Sequence, residues 1–234
     1  PGWGDFKAPI VGAPEAVGGY SKGCLFGGVS LPEIGPGFQT IRRYRRRHFG
    51  HPELARFITG YGRTVDALGL GPILLGDMSQ PRGGPMTSGH RSHQMGLDVD
   101  VWFTRPETGR KSDAAFASLV DDRREKLDKT VFGAHHVELL RRAALDRAVA
   151  RIFVGWVIKR ELCRTAKGDR GWLQKIRPWW GHTRHFHVRL RCPEGSPECR
   201  EQTAIPTGDG CGTESWFSKA EVAKRKRAPR IAAP

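Results

Sequence analysis

The 234-residue chain has no apolar run close to the roughly 20 residues needed to cross a bilayer, so a soluble protein is expected. None of its five cysteines stands in a C-x-x-C pair, which argues against a four-cysteine zinc site. It contains no H-E-x-x-H segment, and that excludes a metallohydrolase built around a helical glutamate base. It also lacks a glycine-rich phosphate-binding loop and any internal repeat. Acidic side chains are few beside the basic ones, 24 against 39, for a formal charge of +15. Such a balance favours a polyanionic partner: nucleic acid, an anionic membrane face or an acidic cell-wall polymer. Charge alone does not choose among them. The chain opens at Pro1-Gly2-Trp3 without an initiator methionine, which is compatible with a processed or with a trimmed polypeptide.

What is abundant is glycine, at 30 residues, and proline, at 16, so turns and irregular connections are expected throughout. We read one domain over residues 1–234, with a loop-rich N-terminal arm at 1–40 and a mobile basic tail at 218–234. Arg42-Arg43-Tyr44-Arg45-Arg46-Arg47-His48 is the densest positive run, open between a solvated surface and a substrate-facing patch. From His51, the apolar residues Leu54, Phe57, Ile58, Tyr61, Val65 and Leu68 follow helical spacing, and Gly69 is placed to stop the helix. Ile73-Leu74-Leu75 reads as a short buried strand running into a turn-rich loop from Asp77 to Pro85. Residues 104–130 read as a polar surface excursion, His135 to Ala150 as a helix, Arg151 to Val154 as a strand, and Ile158 to Cys163 as a short helix.

Two segments carry chemistry. In the first, Leu97, Val99, Val101 and Phe103 alternate with Asp98, Asp100 and Trp102, which predicts a strand whose carboxylates face away from the core. In the second, Phe186, Val188 and Leu190 share one face while His185, His187, Arg189 and Arg191 share the other. Two histidines at this spacing project side by side, roughly 7 Å apart along the strand. One can hold a metal while the other reaches the substrate or an attacking water. His93 and Asp100 supply further ligands, and Gly96 between them lets the chain turn sharply onto its strand. Zinc accepts such a nitrogen and carboxylate set with one position left open, so Zn²⁺ is the expected cofactor. The architecture expected is α+β, with a small antiparallel sheet carrying the zinc site, flanked by helices and long loops. Asp98 is expected to orient a ligand from behind, and Asp77, Gln80 and Arg82 either to line the cleft or to fix the loop. His135 and His136 diverge on their helix with no carboxylate matched beside them, and read as solvated surface rather than as a second metal site.

Ser92-His93 through Asp100 reads S-H-x-x-G-x-x-x-D, and His185-Phe186-His187 reads H-x-H. The pair resembles the zinc peptidases that group lysostaphin, D-alanyl-D-alanine peptidases and the hedgehog signalling domain. The longer stretches Gly76 to Gly84, Ser88 to Gln94, Arg177 to His182 and His185 to Pro193 resemble the penicillin-insensitive murein endopeptidase family, over most of the chain from about Cys24 to Cys211. The resemblance implies a periplasmic, exported zinc endopeptidase that hydrolyses peptide cross-links in peptidoglycan. Its target would be the D-alanyl–diaminopimelate bond, with the diaminopimelate–diaminopimelate bond as a second candidate. Carried over, His93, Asp100 and His187 are zinc ligands, and His90 is an extra ligand close by. His185 is the other member of H-x-H, and His182 a further active-site imidazole. We assign His185 as the proton carrier, with His182 assisting. Cys192 and Cys199 bracket a Pro- and Gly-rich loop suited to a local disulfide, and the resemblance supports Cys163 with Cys211. Cys24 then lacks a partner, since no cysteine follows Cys211.

Three rival readings remain. A zinc D,D-carboxypeptidase would use the same site with a pocket for a free terminal carboxylate. A basic nucleic-acid-binding protein or metal nuclease fits the charge, but no nucleic-acid motif is present and the basic runs lack interleaved aromatics for stacking. A wall-binding module without chemistry is disfavoured by the full histidine and aspartate set. No stable membrane insertion is expected, and oligomeric state stays open, a homodimer included.

Overall fold

The computed structural model describes residues 2–106 and 116–227. The first 40 residues carry five strands: β1 (Glu15–Gly19) and β2 (Lys22–Phe26) form a hairpin, followed by β3 (Val29–Ser30), β4 (Ile34–Gly35) and β5 (Phe38–Thr40). After β6 (Phe49–Gly50), which pairs with β3, comes helix α1 (Pro52–Ala67). Proline at its first position lacks only a hydrogen that would be unpaired there anyway, and His51 Nδ1 caps it by accepting from Glu53 N at 3.1 Å. The predicted stripe from Leu54 to Val65 is buried, Leu68 lies off it at the surface, and Gly69 takes a left-handed φ of 68° just past the end.

Strand β7 (Ile73–Leu75) leads through the long loop to β8 (Asp98–Trp102). The excursion expected over 104–130 instead buries Phe116, Leu119 and Val120 and folds a small hairpin, β9 (Val120–Asp121) with β10 (Lys126–Leu127); its residues 107–115 lie outside the described ones. Helix α2 (Ala134–Leu145) ends earlier than its periodicity predicts, and β11 (Val149–Val154) starts two residues sooner. Helix α3 (Trp156–Thr165), β12 (Ile176–Pro178) and β13 (His185–Leu190) follow.

The α+β class holds, but the sheet is neither small nor purely antiparallel. Seven strands run in the order β12-β11-β13-β8-β7-β5-β4. The pairs β11–β12 and β5–β7 are parallel, and each is bridged by a helix, α3 for the first and α1 for the second. Pairing between strands so far apart in sequence is invisible to strand-by-strand periodicity. The antiparallel centre, β11–β13–β8, carries the two chemical segments.

One face of that centre is apolar. Val99 and Val101, Phe186, Val188 and Leu190, and Ile152 and Val154 join the buried residues of α1, α2 and α3 in a single core. The Tyr61 hydroxyl donates to Leu139 O at 2.9 Å, tying α1 to α2. Loops and the β1–β2 hairpin cover the opposite, polar face, so that Asp98 and Asp100 are buried as thoroughly as the valines between them.

Two expectations fail for local reasons. The stretch read as a mobile basic tail forms a further helix, α4 (Lys219–Arg227), begun by the Ser218 hydroxyl accepting from Glu221 N at 3.2 Å; residues 228–234 lie outside the described ones. Arg225 of this helix lies 3.5 Å from the centre of the Trp216 ring. His136 is not solvated surface: it is buried, its Nδ1 accepts from Gly133 N at 3.1 Å, and it packs between Phe103 and Phe132. Burial, with His135 beside it, pushes its pKa down to about 4. A helix-capping imidazole was not distinguishable from an exposed one by spacing alone.

Candidate metal centre

Period-two geometry assembles the site. Across β13–β8, His187 faces Asp100, Arg189 faces Asp98 and His185 faces Trp102. Facing positions on one side of a sheet bring side chains into contact, so H-x-H meets D-x-D directly. The remaining contributors arrive on the loop before β8. His93 adopts a left-handed φ of 69°, a conformation that costs a non-glycine residue about 1–3 kcal/mol and persists only where surroundings impose it. Here the imposition is visible: Asp98 Oδ2 accepts from His93 N at 2.8 Å. Gly96, at φ 73°, has no room for a Cβ, which would lie 2.7 Å from the Leu25 side chain and 2.8 Å from His51 N. The turn expected at Gly96 thus needs glycine for two separate reasons.

Four imidazoles surround Asp100. Its Oδ1 lies 3.3 Å from His187 Nδ1 and 3.5 Å from His93 Nε2, and its Oδ2 lies 3.6 Å from His90 Nε2 and 3.7 Å from His185 Nε2. Donor atoms of His90, His93 and Asp100 all lie within 4.8 Å of one another, a grouping able to hold a metal ion. Both ring nitrogens of His93, and Asp100 Oδ1, are buried without a hydrogen-bond partner. Buried polar atoms left without partners are costly, and a cation among them would relieve that cost. Imidazole nitrogens with one carboxylate are a donor set that suits zinc.

The electrostatics follow the same division. Burial opposes the charge on Asp100, but His185, His93 and His90 outweigh it and hold the carboxyl well below its usual range. Burial lowers the pKa of His93 despite Asp100. Burial works against protonation of His90 too, but Asp100 and Asp77 prevail and raise its pKa. His185 is lowered, with burial outweighing the attraction of Asp100, and His182 is pushed down to about 3 by burial and then by His187 and His185. The His182 and His185 rings are 5.1 Å apart, and His182 Nδ1 lies 2.8 Å from Trp180 O. That carbonyl can only accept, so the His182 proton belongs on Nδ1 and the lone pair on Nε2.

Supporting groups flank the cluster. Asp98 accepts from Arg189 Nε at 2.8 Å and Nη2 at 3.1 Å, and lies 3.1 Å from His187 Nε2, which leaves the Nδ1 side of His187 turned toward Asp100. Asp77, whose role was open, belongs to the site: its Oδ2 takes Arg47 Nη1 at 2.8 Å and His90 Nε2 at 3.1 Å. Gln80 and Arg82 fix chain instead. Gln80 Nε2 donates to Gly83, Gly84 and Pro85 carbonyls, and Arg82 Nε to Ala8 O. The run Arg42–His48 divides likewise, since Arg47 is buried on Asp77 while the Arg42 guanidinium lies 5.2 Å from the centre of the Trp102 ring. Sequence reasoning gave no role to Arg47 or Trp102. The signal for Arg189 was available, because it stands two residues from His187 and opposite Asp98. Disulfides join Cys192 to Cys199 and Cys163 to Cys211, and Cys24 is a free thiol.

A family model for the penicillin-insensitive murein endopeptidases matches residues 16–234. The chain belongs to this family. Among relatives named penicillin-insensitive murein endopeptidase, one from Haemophilus influenzae is 42% identical over 241 residues, covering 99% of this chain and 84% of that protein. One from Klebsiella pneumoniae is 43% identical and one from Escherichia coli O157:H7 is 42% identical, each covering 92% of this chain and 81% of the relative. Within this murein endopeptidase scaffold, the histidine cluster opens onto a cleft of about 460 Å³ whose walls include His90, His182, His187, Phe153, Trp179 and Trp180.

Proposed function

We propose that the protein is a zinc-dependent endopeptidase, exported to the periplasm, that hydrolyses peptide cross-links of peptidoglycan at the D-alanyl–diaminopimelate bond. The observation that carries this reading is the buried, partnerless pair of nitrogens on His93 beside Asp100 and His187, at the wall of an open cleft. The names of the relatives, murein endopeptidases all, supply the substrate class. His93, Asp100 and His187 would hold the ion, with His90 adjacent. When bound, zinc supplies a Lewis acid and an acidified water.

The chain's own residues account for the proton transfers. His185, kept neutral by burial, presents Nε2 on the Asp100 side and accepts the proton of the attacking water. His182, with its Nδ1 proton committed to Trp180 O, offers Nε2 as the relay toward the leaving amine. Asp98 fixes the ring of His187, and Arg189 neutralises Asp98 so that it stays a carboxylate. Asp77 plays the corresponding part for His90.

Digestion of purified cross-linked muropeptide dimers, with and without a chelator, tests the proposal. Chelator-sensitive release of monomers supports it. Loss of only the terminal D-alanine would instead make the protein a D,D-carboxypeptidase, and inertness combined with tight DNA binding would favour a nucleic-acid role. Full hydrolysis by a His185→Ala protein that retains its zinc would refute the proton assignment.

A further inference from the structure

The polar face of the central sheet continues past the histidines. Across β11–β13, Phe153 faces His187 and Arg151 faces Arg189. Combined with the β13–β8 register, this makes two parallel rows: Phe153–His187–Asp100, and beside it Arg151–Arg189–Asp98. The second row holds two guanidiniums and one carboxylate. Arg189 takes both oxygens of Asp98 and also donates Nη1 to Gln202 Oε1 at 2.7 Å. Arg151 is left with a neutral partner, donating Nη2 to Thr203 O at 2.8 Å, and its Nε is buried with none. Burial and then the charge of Arg189 lower its pKa, and the opposing pull of Glu201 is smaller. Arg151 and Arg189 both line the cleft beside His187, with Arg91, yet among the described residues no aspartate or glutamate lines it.

We propose that this end of the cleft is a carboxylate-binding pocket, with Arg151 as the residue that selects substrates bearing a free carboxylate near the scissile amide. The inference rests on the peptidase reading above and names the part of the substrate it did not assign. Adjacent rows on one face of a strand are about 7 Å apart, the reach of roughly two residues of extended peptide. A group bound at Arg151 therefore belongs to one of the two residues next to the bond being cut. A guanidinium is the side chain best suited to a carboxylate, which it recognises through paired hydrogen bonds as well as charge. Two parts of a muropeptide offer that chemistry, the diaminopimelate side-chain carboxylate and the terminal D-alanine.

The test compares kcat/KM of the zinc-loaded protein on a cross-linked dimer with free diaminopimelate carboxylates and on the same dimer amidated at the carboxylate nearest the scissile bond. The wild type is expected to prefer the acid about 10- to 100-fold, the size of a charge-assisted hydrogen bond, with most of the difference in KM. Arg151→Gln should bring that ratio close to one at unchanged zinc content, and Arg151→Lys should keep part of it. A preference that instead follows the terminal D-alanine, tested with a dimer lacking it, keeps the pocket and changes its occupant. Equal slowing of both dimers by R151Q, or a wild type indifferent to amidation, overturns the proposal. If R151Q does not fold, the R151K ratio decides, and a value equal to the wild type's overturns it. A wild type that cuts neither dimer counts against the peptidase reading alone, and calorimetric titration with free diaminopimelate, wild type against R151K, then reads the pocket directly: absent or equal binding overturns it.

Discussion

Asp98 and Asp100 share a strand, a face and almost complete burial, yet their surroundings are opposites. At the Asp98 end the counter-charge is a guanidinium, which never titrates in a protein, and hydrogen bonds occupy both oxygens. At the Asp100 end the counter-charges are imidazoles, which can give up a proton and accept a cation in its place, and one oxygen has no hydrogen bond. Fixed cations close a structural site, whereas exchangeable ones keep a site open for metal and substrate. Two residues of sequence separate the two solutions.

The largest expected effect tests the Asp100 end. Asp100→Asn should reduce muropeptide hydrolysis by about 1,000-fold or more and abolish stoichiometric zinc, read by elemental analysis, while the protein still folds. Retained zinc would mean that the histidines alone make the site. The same substitution at the other end should do the reverse in emphasis. Asp98→Asn strands the buried Arg189 charge, so chemical denaturation of the metal-free protein should show a loss of about 3–5 kcal/mol. Zinc affinity should fall about 10- to 100-fold, because the ring of His187 loses its backing.

Acid sharpens the contrast further. Arg189 and His187 hold Asp98 well below the ordinary carboxylate range despite burial. Its contribution to stability is therefore complete above the unfolded value of about 4 and is lost as pH falls toward the folded one. The metal-free wild type should lose stability steeply below about pH 4, and Asp98→Asn should flatten that slope. An unchanged slope would assign acid sensitivity to other carboxylates. The smallest effect is expected from Arg189→Lys, which keeps the charge but loses the fork, at about 1 kcal/mol and with zinc retained.

Much of this is legible in the sequence, because alternation is a local property. The order of Val99, Val101, Asp98 and Asp100 gives β8 and its polar face, and His185 with His187 does the same for β13. The helix α1 was visible in its stripe and in its glycine stop. What escaped depends on contacts between segments far apart in sequence. Arg47 meets Asp77 across 30 residues, and nothing in a basic run marks one arginine as buried. The parallel strands β5 and β12 join the sheet through crossovers that periodicity does not encode. His136 misled because a capping imidazole and a solvated one occupy the same helical spacing. The resemblance supported the pairing of Cys163 with Cys211, and the fold brings the two together.

The β1–β2 hairpin has a consequence for how the protein reaches its native state. It touches both arms of the candidate metal centre. Tyr20 O accepts from Gln94 N beside His93, and the Tyr20 hydroxyl donates to Leu190 O at the end of β13. Gly18 exchanges backbone hydrogen bonds with Glu198 and Arg200, which flank Cys199 of the Cys192–Cys199 disulfide. The contacts to β13 and to the segment after it span 170 residues or more, so the hairpin can dock there only once the chain has been made as far as Arg200. It is expected to act as a latch that closes last over the candidate metal-binding arms. Amide exchange at Gly18 and Arg200 should consequently rise in step with zinc release, ahead of exchange in α1, making the latch the first part of the molecule to open.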